Sequence, residues 1–199
     1  MGCPPVNEKR ENEEIIERLT DVLDSLGICY AIGGSVASSL YGTVRFTRDA
    51  DITVQSFSPF AGRLYELLKD EFYVSREAME EALRSHGSFN VIHFETAFKI
   101  DLFIQGPGEF EGRLLDRRHV LRLSDMSPRD VCVVSPEDII LLKLRWFRDT
   151  GGTSERQWSD VLGVLAVQGK SLDFVYLTDS ARKLGLEELL SRAMAEAET

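Results

Sequence analysis

Two segments decide the fold: Ile28-Cys29-Tyr30-Ala31-Ile32-Gly33-Gly34-Ser35 and, a short way on, Arg48-Asp49-Ala50-Asp51-Ile52-Thr53-Val54. The first begins as a short apolar strand over 28–32 and stops at two glycines. A short helix over 35–40 follows, and then a polar turn from Gly42 to Arg48. The second reads as a strand over 49–54. Side chains of a strand alternate between faces, so Asp49, Asp51 and Thr53 share one face while Ala50, Ile52 and Val54 share the other. Two carboxylates this close on one face repel each other unless a positive group lies between them. A hard divalent cation such as Mg²⁺ prefers oxygen ligands and answers that need. The glycine turn suits a different anion. Backbone N–H groups of a strand–Gly-Gly-Ser–helix junction can close on a phosphate, aided by the positive end of the helix. Gly33 and Gly34 allow that approach because they carry no side chain. Ser35 either donates its hydroxyl to a phosphate or caps the helix.

Further along, Phe98-Lys99-Ile100-Asp101-Leu102-Phe103-Ile104 shows the same alternation, with Lys99, Asp101 and Phe103 on one side. An ionised aspartate in so apolar a run is costly to bury. A shared metal ion, or Lys99, offsets that cost. If this strand lies beside the Asp49 strand, three carboxylates converge, as in sites where two metal ions assist phosphoryl displacement. Read singly, Asp-x-Asp is a solvated strand end and Asp101 a salt-bridged strand residue. Strand, Gly-Gly-Ser, short helix and Asp-x-Asp strand, in that order, is the more specific pattern.

The remaining chain divides near Ser135. Before it, the spacing predicts a helix over 8–26 capped by Gly27, with Ile15, Ile16, Leu19, Val22, Leu23 and Leu26 on its apolar side. Ser58-Pro59 opens another helix, and a further one covers 76–84. Paired strands cover 91–94 and 98–104, turning near Glu95-Thr96. Residues 114–134 read as irregular, with one or two short strands, the last at 131–134. Ser135-Pro136-Glu137-Asp138 has a capping-box pattern, and from there helices start at Ser154, Leu172 and Leu186. The expected organisation is an α+β core over 1–134 and a helical subdomain over 135–199 packed on it.

The chain has 199 residues and a formal charge of −10, which argues against a broad basic face for duplex DNA. Cys3, Cys29 and Cys132 are scattered, forming neither a zinc pattern nor a disulfide framework, as expected of thiols in a reducing compartment. Met1-Gly2-Cys3-Pro4-Pro5 lacks an apolar signal core, and no run reaches membrane-spanning length. A cytoplasmic protein with no membrane partner is expected.

Gly33-Gly34-Ser35, Asp49-Ala50-Asp51 and Asp101 together resemble the signature of the nucleotidyltransferase superfamily. Tyr41-Gly42-x-x-Arg45-x-Thr47-x-Asp49-x-Asp51 is similar to small bacterial proteins grouped with abortive-infection toxin-type nucleotidyltransferases. Ser135-Pro136-Glu137-Asp138, Lys143 and Glu155-Arg156-Gln157-Trp158-x-Asp160 look like their helical region. The resemblance covers about 28–170 in patches. It implies an α+β fold, with a mixed sheet flanked by helices and a helical region after it. It also implies an enzyme that transfers a nucleoside monophosphate from a nucleoside triphosphate, ATP among them, to an RNA, protein or small-molecule acceptor. Mg²⁺, or Mn²⁺ in its place, is the implied cofactor. The biological setting would be toxin–antitoxin or phage defence, with a cognate partner protein. A non-catalytic binding or antitoxin-like protein of the same fold is the alternative.

By this carry-over Asp49, Asp51 and Asp101 are catalytic metal ligands, and Asp101 also helps deprotonate the acceptor. Gly33, Gly34 and Ser35 hold phosphates, with Arg45, Arg48 and Lys143 as cationic partners. Each cation has a plainer reading: Lys143 on a solvated helix face, Arg45 and Arg48 paired with nearby carboxylates. Asp160 follows Arg156 by four residues and reads as its helix-surface ion pair. Trp146, Phe147 and Trp158 read as core contacts between helices, or else as stacking surfaces for a base. His86, His93 and His119 show no ligand spacing. Ala50 is smaller than the residue many members carry there. Members that modify transfer RNA imply a positive channel; the basic cluster here is Arg113, Arg117, Arg118 and Arg122, open to an RNA, a partner protein or neither.

Overall fold

The computed structural model describes residues 6–197 and divides into two units, residues 6–32 with 46–133 and residues 33–45 with 134–197. Cys3 and the first five residues lie outside the described part. The helices and strands, in chain order, are α1 (Val6–Ser25), β1 (Tyr30–Ile32), α2 (Gly34–Tyr41), β2 (Asp49–Val54), α3 (Ala61–Leu68), β3 (Phe72–Val74), α4 (Arg76–Ser85), β4 (Ser88–His93), β5 (Lys99–Ile104), α5 (Glu109–Asp116), β6 (His119–Leu121), β7 (Val131–Val133), α6 (Pro136–Asp149), α7 (Glu155–Gln168), α8 (Phe174–Lys183) and α9 (Glu187–Ala197). The chain therefore has the expected mixed α/β architecture, a mixed sheet accompanied by helices and followed by a helical region. Among the described residues no helix is long and apolar enough to cross a membrane.

The first unit holds the whole sheet, seven strands in the order β3-β4-β5-β2-β1-β7-β6. β2 sits near its middle, antiparallel to β1 and parallel to β5. β5 and β4 are antiparallel, as are β4 and β3. In β2, Ala50, Ile52 and Val54 are fully buried while Asp49, Asp51 and Thr53 are half-buried, which is the alternation the sequence implies. β4 and β5 continue the apolar side with Phe89, Val91, Ile100, Leu102 and Ile104. α4 packs on β4 and β5 through Met79, Ala82 and Leu83, and α5 packs by β1 and β2. α1 buries Ile15, Ile16, Leu19, Val22 and Leu23, and Gly27 ends it at φ +66°, the left-handed position glycine favours.

Three local expectations need correction. Residues 109–116 form a helix that no expected element covers and whose last three residues enter the stretch 114–134 expected to be irregular; Gly108 is its N-cap residue. β3 has no counterpart in the expected elements, since a three-residue strand is too short to show a period. Ser58-Pro59 opens a single 3-10 turn, and α3 follows it at Ala61.

The second unit is all helical. α6 and α7 pack together, α2 lies against both, and α8 and α9 complete the bundle against α6 and α7. Ser135 caps α6 by accepting the Asp138 N–H at 3.1 Å, with Pro136 in the first turn. The two acids of that turn serve the bundle. Glu137 Oε1 accepts the Asp173 N–H at 2.8 Å, and Asp138 Oδ1 accepts the Tyr176 hydroxyl at 2.6 Å, tying the start of α6 to that of α8. Phe147 and Trp158 are buried with ring centroids 5.1 Å apart. Trp146 is not a core residue, being 56% exposed. One residue turns a helix by about 100°, so the neighbour of buried Phe147 faces solvent.

α2 approaches α7 closely. A Cβ on Gly42 would fall 2.7 Å from the backbone N of Val164 and 2.8 Å from the carbonyl carbon of Gly163. Backbone cannot swing aside as a side chain does. Gly42→Ala is therefore expected to destabilise the protein by about 1–3 kcal/mol, the range for overpacking, read as a lower urea midpoint. Gly62→Ala in α3, where a Cβ meets nothing within 4 Å, should be neutral or stabilising because alanine is the better helix former.

Candidate functional site

In the first unit the decisive geometry is the register of β2 and β5. Asp49 pairs with Lys99, Asp51 with Asp101, and Thr53 with Phe103. Paired residues of a ladder share a face, so Asp49, Asp51 and Asp101 stand together on the half-open side of the sheet. β4 extends the row, placing Asn90 opposite Asp101 and Ser88 opposite Phe103. Phe103, 42% exposed, is an apolar surface beside Asp101.

Each carboxylate is engaged differently. Asp49 Oδ1 accepts the Thr47 hydroxyl at 2.8 Å. Asp101 Oδ2 holds the Lys99 ammonium at 2.7 Å. That hydrogen bond is the main reason Lys99 lies above the ordinary lysine pKa; desolvation opposes it, and the charges of Asp101, Asp49 and Asp51 add to it. Among the described residues no three His, Cys, Asp or Glu side chains are drawn together as a metal cluster. The donor chemistry still suits a hard divalent cation: co-facial oxygen ligands of Asp49, Asp51 and Asp101 on a half-open surface. Arg48, next to Asp49, is exposed.

In the second unit the chain enters α2 through Gly33 and Gly34. Gly34 sits at φ +53°, a conformation other residues rarely adopt. Ser35 follows in the first turn and does not cap the helix. Gly33 is the cap residue, and the Ser35 hydroxyl accepts Arg45 Nη2, in a short contact, and Arg156 Nη2 at 3.2 Å. Asp160 is the other pole. Arg45 Nε reaches Asp160 Oδ1 at 2.7 Å and Nη2 reaches Oδ2 at 2.8 Å, a two-pronged pair. Lys143 Nζ adds a third bond to Oδ2 at 2.8 Å. Burial pushes the Asp160 carboxyl up, yet the hydrogen bonds and charges of Arg45 and Lys143 outweigh it and hold the group below the usual carboxylate range.

Two sequence readings change here. Asp160 is a buried anchor for Arg45 and Lys143, not the surface partner of Arg156. Lys143 is 4% exposed and so does not lie on a solvated face. Arg156, read from the sequence as the surface partner of Asp160, instead joins Arg45 on Ser35. No local signal could have revealed these partners, for Arg45 and Asp160 are 115 residues apart. The basic cluster is largely committed to nearby acceptors: Arg113 pairs with Glu109, Arg122 with Asp130 at 3.1 Å, and Arg118 bonds the Leu115 carbonyl.

No family model matches the sequence, and no curated protein is detectably similar to it. Solved structures are similar in fold. An antigenic nucleotidyltransferase-like protein from Paracoccidioides brasiliensis aligns with a TM-score of 0.59 at 17% identity, over 94% of this chain and 93% of that one. ANT(2")-Ia in complex with adenylyl-2"-tobramycin aligns at TM-score 0.61 and 15% identity, over 86% and 97%. The lincosamide antibiotic adenylyltransferase LnuA, bound to lincomycin, aligns at TM-score 0.50 and 13% identity, over 76% and 95%.

Proposed function

We propose that this chain, which has the nucleotidyltransferase fold, transfers a nucleoside monophosphate from a nucleoside triphosphate to a hydroxyl-bearing acceptor. The observation that carries the reading is the β2–β5 register, which sets Asp51 beside Asp101 with Asp49 on the same face. Asp49 and Asp51 would hold Mg²⁺, or Mn²⁺, with Asp101 completing the carboxylate row. When bound, the cation neutralises phosphate charge and polarises the phosphoryl oxygens.

The chain's own groups supply the rest. The acceptor oxygen forms a bond to the α-phosphorus as the bond from that phosphorus to the bridging oxygen breaks and pyrophosphate leaves. Asp101 takes the acceptor proton as general base. In the second unit, taken by itself, the backbone of Gly33 and Gly34 and the hydroxyl of Ser35 would offer donors to phosphate oxygens. Arg45 and Lys143, steadied by Asp160, and Arg48, in the first unit, supply positive charge. The exposed Phe103 and the polar Asn90 beside Asp101 favour a small molecule that presents a hydroxyl next to a flat apolar face. Adenylyl-tobramycin and lincomycin, found with the two antibiotic-modifying neighbours, are small hydroxylated compounds. RNA and protein acceptors are the competing classes, and the cytoplasm is the proposed location.

Calorimetric titration of each ribonucleoside triphosphate, with Mg²⁺ and then with EDTA, tests the reading. Binding of one or more triphosphates only with the metal is the expected result, after which α-labelled nucleotide is offered with aminoglycosides and lincosamides, RNA or lysate protein. A chain that binds none of the four in either condition overturns the proposal.

A further inference from the structure

In the second unit the Ser35 hydroxyl is the meeting point of two guanidinium groups, one from α7 and one from the segment after α2. Arg45 Nη2 and Arg156 Nη2 both donate to it, the latter at 3.2 Å. The two cations differ in what answers their charge. Arg45 commits Nε and Nη2 to the carboxylate of Asp160, and the buried Lys143 bonds the same carboxylate. Arg156 is exposed, in the first turn of α7. Among the described residues it has no carboxylate partner, and its hydrogen bond goes to a neutral hydroxyl. We propose that Arg156 is the cation that binds the pyrophosphate part of the nucleoside triphosphate at Ser35. The inference rests on the nucleotide-transfer reading above and adds to it a residue for which the sequence suggested only an ion pair with Asp160.

Charge and backbone agree on this assignment. Two like charges that converge on one oxygen repel each other. Asp160 answers Arg45; an anion at Ser35 would answer Arg156. The contact also joins a first-turn residue of α2 to a first-turn residue of α7. Neither helix has a side-chain cap, at Gly33 or at Ser154, and the first N–H groups of a helix have no partner within it. Both helix starts therefore offer backbone donors and positive potential on the side where the guanidinium groups meet. Arginine suits the task better than lysine would. Its planar fork matches two phosphate oxygens at once, and with one Nη2 bond on Ser35 the fork keeps further N–H groups for them.

The probe is the ribonucleoside triphosphate that binds the full chain in the Mg²⁺ titration above, compared with its monophosphate. Arg156→Gln is expected to weaken the triphosphate about tenfold, the scale of one hydrogen bond to a charged group, and to leave the monophosphate unchanged. Arg156→Lys keeps the charge and loses the fork, so its triphosphate affinity should fall between the two; it also serves as the second variant should the glutamine fail to fold, which the urea midpoint reports. Inorganic tripolyphosphate has neither base nor ribose. With Mg²⁺ it should displace the nucleotide from the wild-type chain and do so about tenfold less well from Arg156→Gln. An unchanged triphosphate affinity in the variant, an equal loss for triphosphate and monophosphate, or tripolyphosphate competition that fails in wild type or is equal in the variant overturns the inference and leaves nucleotide transfer standing. A wild-type chain that binds no triphosphate removes both.

Discussion

Asp160→Ala is expected to lower the stability of the protein by about 3–5 kcal/mol, the usual result of breaking a buried charge pair. The carboxylate is the shared acceptor of Arg45 and Lys143, and the Lys143 side chain is only 5% exposed. Alanine leaves that ammonium buried without its counter-charge, and water cannot readily replace it. Asp149→Ala is the control, because the Arg148–Asp149 pair lies in solvent and should change stability by less than about 1 kcal/mol. Urea denaturation measures both. An effect at Asp160 no larger than that at Asp149 would mean the buried cluster is not coupled to folding. The pH dependence has a definite sign. The Asp160 pKa is depressed in the folded chain, so its stabilisation is fully present above the unfolded carboxylate value of about 3.9 and is lost as pH falls through the lower folded value. The stability gap between wild type and Asp160→Asn should therefore close in acid and remain open at neutral pH.

The second large effect is expected at Asp51, and it falls on activity rather than on stability. Asp51→Asn should reduce nucleotide transfer by at least about 10²-fold, the scale of losing an electrostatic contact to the reacting phosphate. The fold should not suffer. Asp51 is half-buried, and asparagine keeps its size, so the change in stability should stay within about 1 kcal/mol. A variant that is inactive yet melts no lower than wild type is the signature of a residue kept for chemistry. Mg²⁺ should raise the wild-type melting temperature by linkage and leave Asp51→Asn unchanged. Full activity in Asp51→Asn, or a melting temperature that falls along with activity, would count against a metal role.

Much of this site is legible residue by residue, and its partnerships are not. The faces of β2 and β5 follow from strand alternation, because Ala50, Ile52 and Val54 need burial and Asp49 and Asp51 do not. That β5 pairs with β2 in a register placing Asp51 beside Asp101 is tertiary information; alternation says which face a side chain takes but not which residue stands across from it. Ser35 shows the same limit. Its position after two glycines marks a helix start, but Arg45 and Arg156 decide what the hydroxyl does. Lys143 looks like any lysine on a helix until Asp160, 17 residues away, makes its burial tolerable. Trp146 fails for another reason: aromatic bulk suggests a core, while the buried stripe of Ile139, Ile140, Lys143, Leu144 and Phe147 passes beside it.

The chain's route through its two units bears on how either could be inherited or built. Residues 33–45, which carry α2 and Arg45, belong with the helices that begin at residue 134, yet they are encoded between β1 and β2. A gene fragment starting at residue 134 would encode Lys143 and Asp160 without Arg45, and α6 and α7 without the helix that packs on both. A fragment ending at residue 133 would carry α2 with nothing from its own bundle. No single cut yields either unit whole. Recombination that swapped one unit for a foreign one would need three crossovers, so the carboxylate row and the Ser35–Asp160 cluster are bound to travel together through duplication and gene exchange.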